Sequence, residues 1–320
     1  MANLGIDRWY EADKAEVDIV FVHGLRGGRE STWTRDRVLW PRDLLAKDIP
    51  NSRILGFGYD SRIVHADTKE VVQGSLEDDA QTLCSELDEL RRSTNTTERP
   101  IVTVGHSMGG LLLAQVVYGG DKVASGNSLR SISDRIVGML FLGTPFHGSP
   151  TAPWGETIRR IWDIVRQDSD RNTLKSLAQD SQLLKPLRDG WPQVIQKRGQ
   201  TKDSKVAVSY CFEKLKTGLV VIVPRDNAHF PGVGGEPIPM RTNHMDICKF
   251  NDPDEDHHYK IVKEEIKKLI AASAPEEGVK QWGGDSYRID NTGTIVNLNQ
   301  GGTQTIPNQV NHFYSGKPGP

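Results

Sequence analysis

Residues 101–117 read IVTVGHSMGGLLLAQVV, and their interpretation decides that of the whole chain. The stretch opens on Ile101, Val102, Thr103 and Val104, the composition of a strand buried on both faces. It closes on an apolar run from Leu111 to Val117 that suits a buried helix. Between them stand Gly105, His106, Ser107, Met108, Gly109 and Gly110, and glycines flanking a serine favour neither element. A strand ending at His106 and a helix starting at Met108 leave Ser107 alone on a sharp turn. This is the pattern G-x-S-x-G, in which small neighbours let the backbone bend and project a serine hydroxyl above a sheet. The helix N-terminus that follows supplies backbone dipoles where negative charge would develop. As a bare pattern it is common and competes with a plain Gly-Ser turn; a strand before it and a helix after it make it specific.

Further apolar runs flank this one: VDIVFVHG at 17–24, RILGFGY at 53–59, RIVGMLFLG at 135–143 and KVAVSYCFE at 205–213. Their hydrophobicity is continuous rather than alternating, as in strands covered on both faces. Helix-like stretches separate them. Residues 75–93 place Ser75 as an N-cap, acids in the first turn and Leu76, Leu83, Leu87 and Leu90 on one stripe, and residues 256–273 form a last helix. Strands alternating with helices predict an α/β fold with a mainly parallel sheet. Residues 150–204 break the alternation with helices only, notably TIRRIWDIVRQ with Trp162, and read as a helical cap insertion. Beyond Pro275 the chain turns rich in Gly, Asn, Gln and Thr. Two parts are expected: 1–274 as the α/β domain and 275–320 as a low-complexity, flexible C-terminal tail.

Composition narrows the function classes. The chain has 320 residues, enough for a substantial core, with 36% hydrophobic and 26% charged residues. A formal net charge of -2 and no long basic run argue against nucleic-acid binding. Three scattered cysteines, Cys84, Cys211 and Cys248, do not make a disulfide framework. The first twenty residues do not read as a secretory signal, and no run reaches membrane-spanning length, so a cytoplasmic location is expected, with room for peripheral membrane contact. No cofactor and no metal is expected.

A serine on such a turn needs a base, an acid to orient that base and an oxyanion hole. His23, Gly24 and Leu25 end the first buried strand and lead into a glycine-rich loop. In folds with this turn one hole donor comes from that loop and the other from the residue after the serine, which points to the backbone N–H groups of Leu25 and Met108. His23 precedes the serine, whereas the chain order in such folds is serine, acid, histidine, so it reads as structural. That order favours His244, in RTNHMDICKF, over His229, His257 and His258. For the acid, Glu213 ends a predicted strand, where parallel sheets present functional groups, and Asp226 in VIVPRDNAHF is the alternative. Asp246 reads as a loop-capping side chain.

FVHGLRGGRESTWT, VGHSMGGLL, FLGTPFHGS, YCFEKLKT with VVIVPRDNA, and NHMDICKF occur in this order across residues 15–270. Together they resemble the lipase-like serine hydrolases of the serine active site-containing protein type, and the esterase domains of fungal immune-type (vegetative-incompatibility) receptors. The resemblance implies an α/β-hydrolase fold, carboxylic and lipid esters as substrates, and Ser107, His244 and an acid at Glu213 as catalytic residues. Phe146 departs from the Thr-Pro-His order of many members, and His147 reads as a structural or pocket residue. Residues 291–313, NTGTIVNLNQGGTQTIPNQVNHF, have low charge and high β propensity and resemble short amyloid-type motifs. A flexible tail competes there with self-assembly or receptor pairing through 287–314. Two function classes follow: a serine esterase, or a catalytically weak hydrolase-fold module that signals through its tail.

Overall fold

The apolar runs become neighbouring strands of one sheet. A computed structural model describes residues 4–25, 27–61, 73–147, 157, 161, 185–201, 204–272, 280–282, 285–289 and 295–297. In chain order the strands are β1 (Gly5–Glu11), β2 (Val17–Val22), the short hairpin β3 (Thr34–Arg35) and β4 (Val38–Leu39), β5 (Ser52–Gly58), β6 (Ile101–His106), β7 (Ile136–Leu142), β8 (Ala207–Glu213) and β9 (Ile238–Met240). The helices are α1 (Ala46–Asp48), α2 (Gln73–Ser93), α3 (Met108–Gly120), α4 (Ser128–Ser133), α5 (Lys185–Gly199) and α6 (His257–Ala271). Seven strands form the sheet in the order β1-β5-β2-β6-β7-β8-β9, with β1 antiparallel and every other pairing parallel.

The two edge strands carry no apolar run, and so have none of the signal that marks the buried strands. β1 is mostly half-buried, with Asp7 and Arg8 in its middle. β9 has three residues and contains Pro239, which an edge strand tolerates because one side of its ladder is open. The expected N-cap Ser75 lies inside α2, which already begins at Gln73. The stripe itself holds: Leu76, Leu83 and Leu87 are buried and Leu90 packs beside them.

Strand periodicity divides the core into two layers. Val20 and Val22 of β2, with Met139 and Phe141 of β7, face a layer that includes α2, α3 and Trp191 of α5. Ile19, Phe21, Leu140 and Leu142 face the other side, against Trp33, Trp40 and the apolar stripe of α6, Tyr259, Val262, Ile266 and Leu269. Trp40 packs edge-on against Phe21 and Phe250, at 5.2 and 5.0 Å between ring centres, and its Nε1–H donates to the Cys248 carbonyl at 2.9 Å. The three cysteines are buried and free. Of the predicted cap, Thr157, Ile161, residues 185–201 and Ser204 are described, and Trp162 lies outside. In α5, Trp191 stacks on Phe146 at 5.5 Å, and Arg198 donates to the Ser133 carbonyl at 2.7 Å. Among the described residues no helix is long and apolar enough to cross a membrane.

The chain divides into two compact units, Met1–Ser273 and Ala274–Pro320. In the second, β10 (Lys280–Trp282), β11 (Asp285–Ile289) and β12 (Ile295–Asn297) pair antiparallel in that order. The rest of the 287–314 segment lies outside the described residues.

At the N-terminal edge of the large sheet, Asp18 is fully buried among arginines. Arg53 reaches it with Nε at 2.9 Å and Nη2 at 2.7 Å, Arg99 approaches at 3.0 Å, and Arg91 also donates to it. Removing the carboxylate would leave the buried Arg91 guanidinium without its counter-charge and Arg53 with Glu11, at 3.6 Å. Asp18→Ala is therefore expected to lower stability by about 3–5 kcal/mol, read as a fall in the urea midpoint; a loss under about 1 kcal/mol would show the cluster to be solvated instead.

Candidate active site

The predicted turn is present at the end of β6. Ser107 adopts φ 52° and ψ −123°, a conformation costly for a residue with a side chain. Its amide donates to the Leu142 carbonyl at 2.9 Å, and its own carbonyl accepts from Gly110 N–H at 3.0 Å. The flanking glycines are required by contact. A Cβ on Gly109 would stand 2.3 Å from the carbonyl oxygens of Val22 and His23, and one on Gly105 would stand 2.6 Å from Gly110 Cα. The first turn of α3 therefore lies directly against the ends of β2 and β6.

His244 comes to this serine from a loop well ahead of α6. Its Nε2 lies 3.0 Å from Ser107 Oγ, and its Nδ1 lies 3.3 Å from Glu213 Oε1. Ser107, Glu213 and His244 are each about 1% exposed, so the three polar groups meet out of water. Glu213 Oε1 also accepts Val223 N–H at 2.6 Å. The loop holds the His244 peptide at both ends: its N–H donates to Thr217 Oγ1 at 3.0 Å, and its carbonyl accepts from His106 Nε2 at 2.9 Å. Because a carbonyl only accepts, His106 must carry its proton on Nε2. Beside it, Asn243 Oδ1 accepts the N–H groups of Met245 and Asp246, and Asn243 Nδ2 donates to Asp246 Oδ2 at 2.7 Å. The side chain that caps the loop is therefore Asn243, and Asp246, expected in that role, holds the Asn243 amide instead.

The other candidates lie elsewhere. Asp226, the alternative acid, is exposed on a single 3₁₀ turn (Arg225–Asn227), which corrects that alternative. The segment before it offers Glu213 a backbone donor at Val223, while its own carboxylate faces water. His23 stacks on Tyr59 at 4.6 Å, and its Nδ1 lies 2.9 Å from the Gly24 carbonyl. His229 Nδ1 donates to the Arg225 carbonyl at 2.9 Å, His147 packs against Phe230, and His257 and His258 open α6. His258 Nε2 accepts Arg241 N–H at 3.1 Å. Met108 opens α3, so its amide is among the first-turn donors that a helix leaves unpaired. Gly24, just before Leu25, packs so closely on the serine that a Cβ there would stand 2.8 Å from Ser107 Cβ. Leu25, Ser107, Ile161, His244, Met245 and Lys249 border a cavity of about 170 Å³.

Three contributors were not visible in the sequence reading: Thr217, the Val223 amide and His106. Only His106 carried a signal, its place beside the serine, and that place said nothing about a partner 138 residues away.

The sequence pattern of the Alpha/beta hydrolase family matches residues 19–259. Protein SERAC1 of Bos taurus is 29% identical over 262 residues, which cover 73% of this chain and 36% of that protein. Protein SERAC1 of Homo sapiens is 28% identical over 257 residues with the same shares. The chain thus spans little more than a third of the length of the curated relatives it matches. Among solved structures, a fungal esterase from Rhizomucor miehei shares 13% identity, 82% of this chain and 77% of its own, at a TM-score of 0.48. A monoacylglycerol lipase from Paleococcus ferrophilus shares 12% identity, 85% of this chain and 100% of its own, at 0.42.

Burial, and after it the neighbouring His244, pushes the His106 imidazole down to about 3 from its ordinary 6.5. The unfolded chain takes up a proton there near pH 6.5 and the folded site does not, so stability falls as pH drops from 6.5 toward 3. His106→Gln keeps a donor but removes the titration. Urea midpoints measured across that window should fall less steeply with acid than in the wild type; an unchanged slope would assign the acid sensitivity to other groups, such as His23, which burial also lowers.

Proposed function

The chain belongs to the alpha/beta hydrolase family, and from that premise we propose that it cleaves carboxylic esters, lipid esters among them, through an acyl-enzyme on Ser107. The observation that carries this reading is the continuous link from Ser107 Oγ to His244 Nε2 at 3.0 Å and from His244 Nδ1 to Glu213 Oε1 at 3.3 Å. In the first half-reaction His244 Nε2 takes the hydroxyl proton as Ser107 Oγ bonds to the ester carbonyl carbon. The carbonyl oxygen becomes an oxyanion, which accepts hydrogen bonds donated by the N–H groups of Leu25 and Met108 and is stabilised by the α3 dipole. Collapse expels the alcohol oxygen, which takes the proton from His244, and leaves the acyl group on Ser107. Water then repeats the sequence: His244 removes one of its protons, the second tetrahedral species collapses, and Ser107 recovers its proton as the carboxylic acid departs. The Glu213 carboxylate orients the ring through Nδ1–H and stabilises the imidazolium formed in each half. Leu25, Ile161 and Met245 give the cavity an apolar wall suited to an acyl chain.

Fluorophosphonate labelling and turnover of a p-nitrophenyl ester series test this directly. Ser107→Ala is expected to abolish labelling and to lower kcat by about 10⁶-fold without unfolding the chain. Retention of as much as about a tenth of wild-type turnover would remove Ser107 from the role of nucleophile.

The acid is tested separately. Glu213→Gln should lower kcat by about 10³- to 10⁴-fold, because an amide cannot stabilise the imidazolium. Asp226→Asn should leave kcat and KM unchanged; the reverse pattern would move the acid to Asp226.

A further inference from the structure

The turn after β8 holds a feature that ester hydrolysis does not use. Residues 214–219, KLKTGL, expose Lys214, Leu215, Lys216 and Leu219 together. Leu215 is 45% and Leu219 88% exposed, and with Leu4 they are the only strongly exposed large hydrophobic side chains among the described residues. A leucine in water is ordinary when it stands alone. Two in one short turn, separated by lysine, form a local amphipathic surface.

Backbone bonds hold these leucines outward. Thr217 N–H donates to the Val220 carbonyl at 2.8 Å, and Gly218 between them sits at φ +63°, so Leu219 occupies the tip of a tight hairpin bend. The base of the turn is fastened to the end of β9 and the residues after it: Lys214 N–H donates to the Met240 carbonyl at 2.9 Å and Leu215 N–H to the Thr242 carbonyl at 3.0 Å. Thr217 Oγ1 takes the His244 N–H at 3.0 Å, so the turn is joined to the base loop at the C-terminal edge of the sheet, next to Glu213. Arg241 is exposed on the adjoining strand end, and neither Lys214 nor Lys216 forms an ion pair among the described residues.

We propose that this turn is an interfacial anchor that docks the active-site edge of the sheet on a lipid surface bearing anionic headgroups. Leu215 and Leu219 enter the acyl boundary, while Lys214, Lys216 and Arg241 meet headgroup phosphates and carboxylates. Charge selects this occupant over a second copy of the chain, because packing two such turns together would bring lysine against lysine. The anchor rests on the proposed ester hydrolysis for its purpose, since it sets the Ser107 cavity beside a surface rich in ester-linked acyl chains.

Co-sedimentation of the full chain with vesicles tests the proposal, using mixed phosphatidylcholine–phosphatidylserine and pure phosphatidylcholine. Wild type should partition to the mixed vesicles, and Leu215→Ser with Leu219→Ser should lower that partitioning by at least about tenfold per leucine. Lys214→Gln and Lys216→Gln should each cost about fivefold on mixed vesicles and little on pure phosphatidylcholine. All three variants should hydrolyse water-soluble p-nitrophenyl acetate at the wild-type rate, which shows that they are folded. Equal sedimentation of wild type and the double-leucine variant would overturn the anchor, as would failure of the wild type to bind either vesicle. A leucine-dependent dimer in sedimentation velocity without vesicle binding would overturn it in favour of a second copy. Leucine-dependent vesicle binding by a chain that takes no fluorophosphonate on Ser107 would retain the anchor and reject the hydrolase reading instead.

Discussion

One backbone conformation sets the geometry of this site. Ser107 is held at φ 52°, where a side chain costs about 1–3 kcal/mol, and it can stay there only because its surroundings determine it fully. The determination comes from both sides of the bend. Upstream, Gly105 lets α3 close down on β6; downstream, Gly109 lets the same helix touch the last carbonyls of β2. The buried run from Leu111 to Val117 then anchors the helix in the core, so the strain is balanced by packing well away from the serine. The loop after β2 is drawn over the serine by the same contacts.

The histidine is placed on a different principle. Its loop is held through main-chain groups, with the His244 N–H on Thr217 and its carbonyl on His106, while Trp40 secures Cys248 further along. Both ring nitrogens are thereby left for Ser107 and Glu213. Burial also keeps His106 neutral, which matters because its ring centre is only 5.2 Å from that of His244. In the proposed hydrolysis, a second cation at that distance would oppose the imidazolium that forms on His244 in each half-reaction.

The sheet separates stability from chemistry along its strands. In the parallel register Asp18 of β2 lies opposite Ile101, at the start of β6, and Val22 lies opposite Gly105, at its end. The buried carboxylate–guanidinium cluster therefore sits at the N-terminal edge, where every charge has a partner. Ser107, Glu213, His244 and the exposed turn at 214–219 gather at the other edge, where open α/β sheets present loops and helix N-termini to ligands.

What the sequence determined by itself was local. Residues 101–117 specified strand, bend and helix, because continuous β-branched residues, a glycine-flanked serine and an apolar helix admit few other arrangements. The remaining buried strands were legible for the same reason, and chain order was enough to single out His244. The edge strands were not legible, since an edge strand needs no apolar run and its pairing is supplied by a neighbour remote in sequence. The choice between Glu213 and Asp226 was likewise out of reach: both follow apolar runs, and they differ in that one is buried against His244 while the other faces water. Thr217, the Val223 amide and the link from His106 to the His244 carbonyl left no periodic trace at all. Such contacts are set by where separate loops converge over the sheet, and that distance is a property of the folded chain alone.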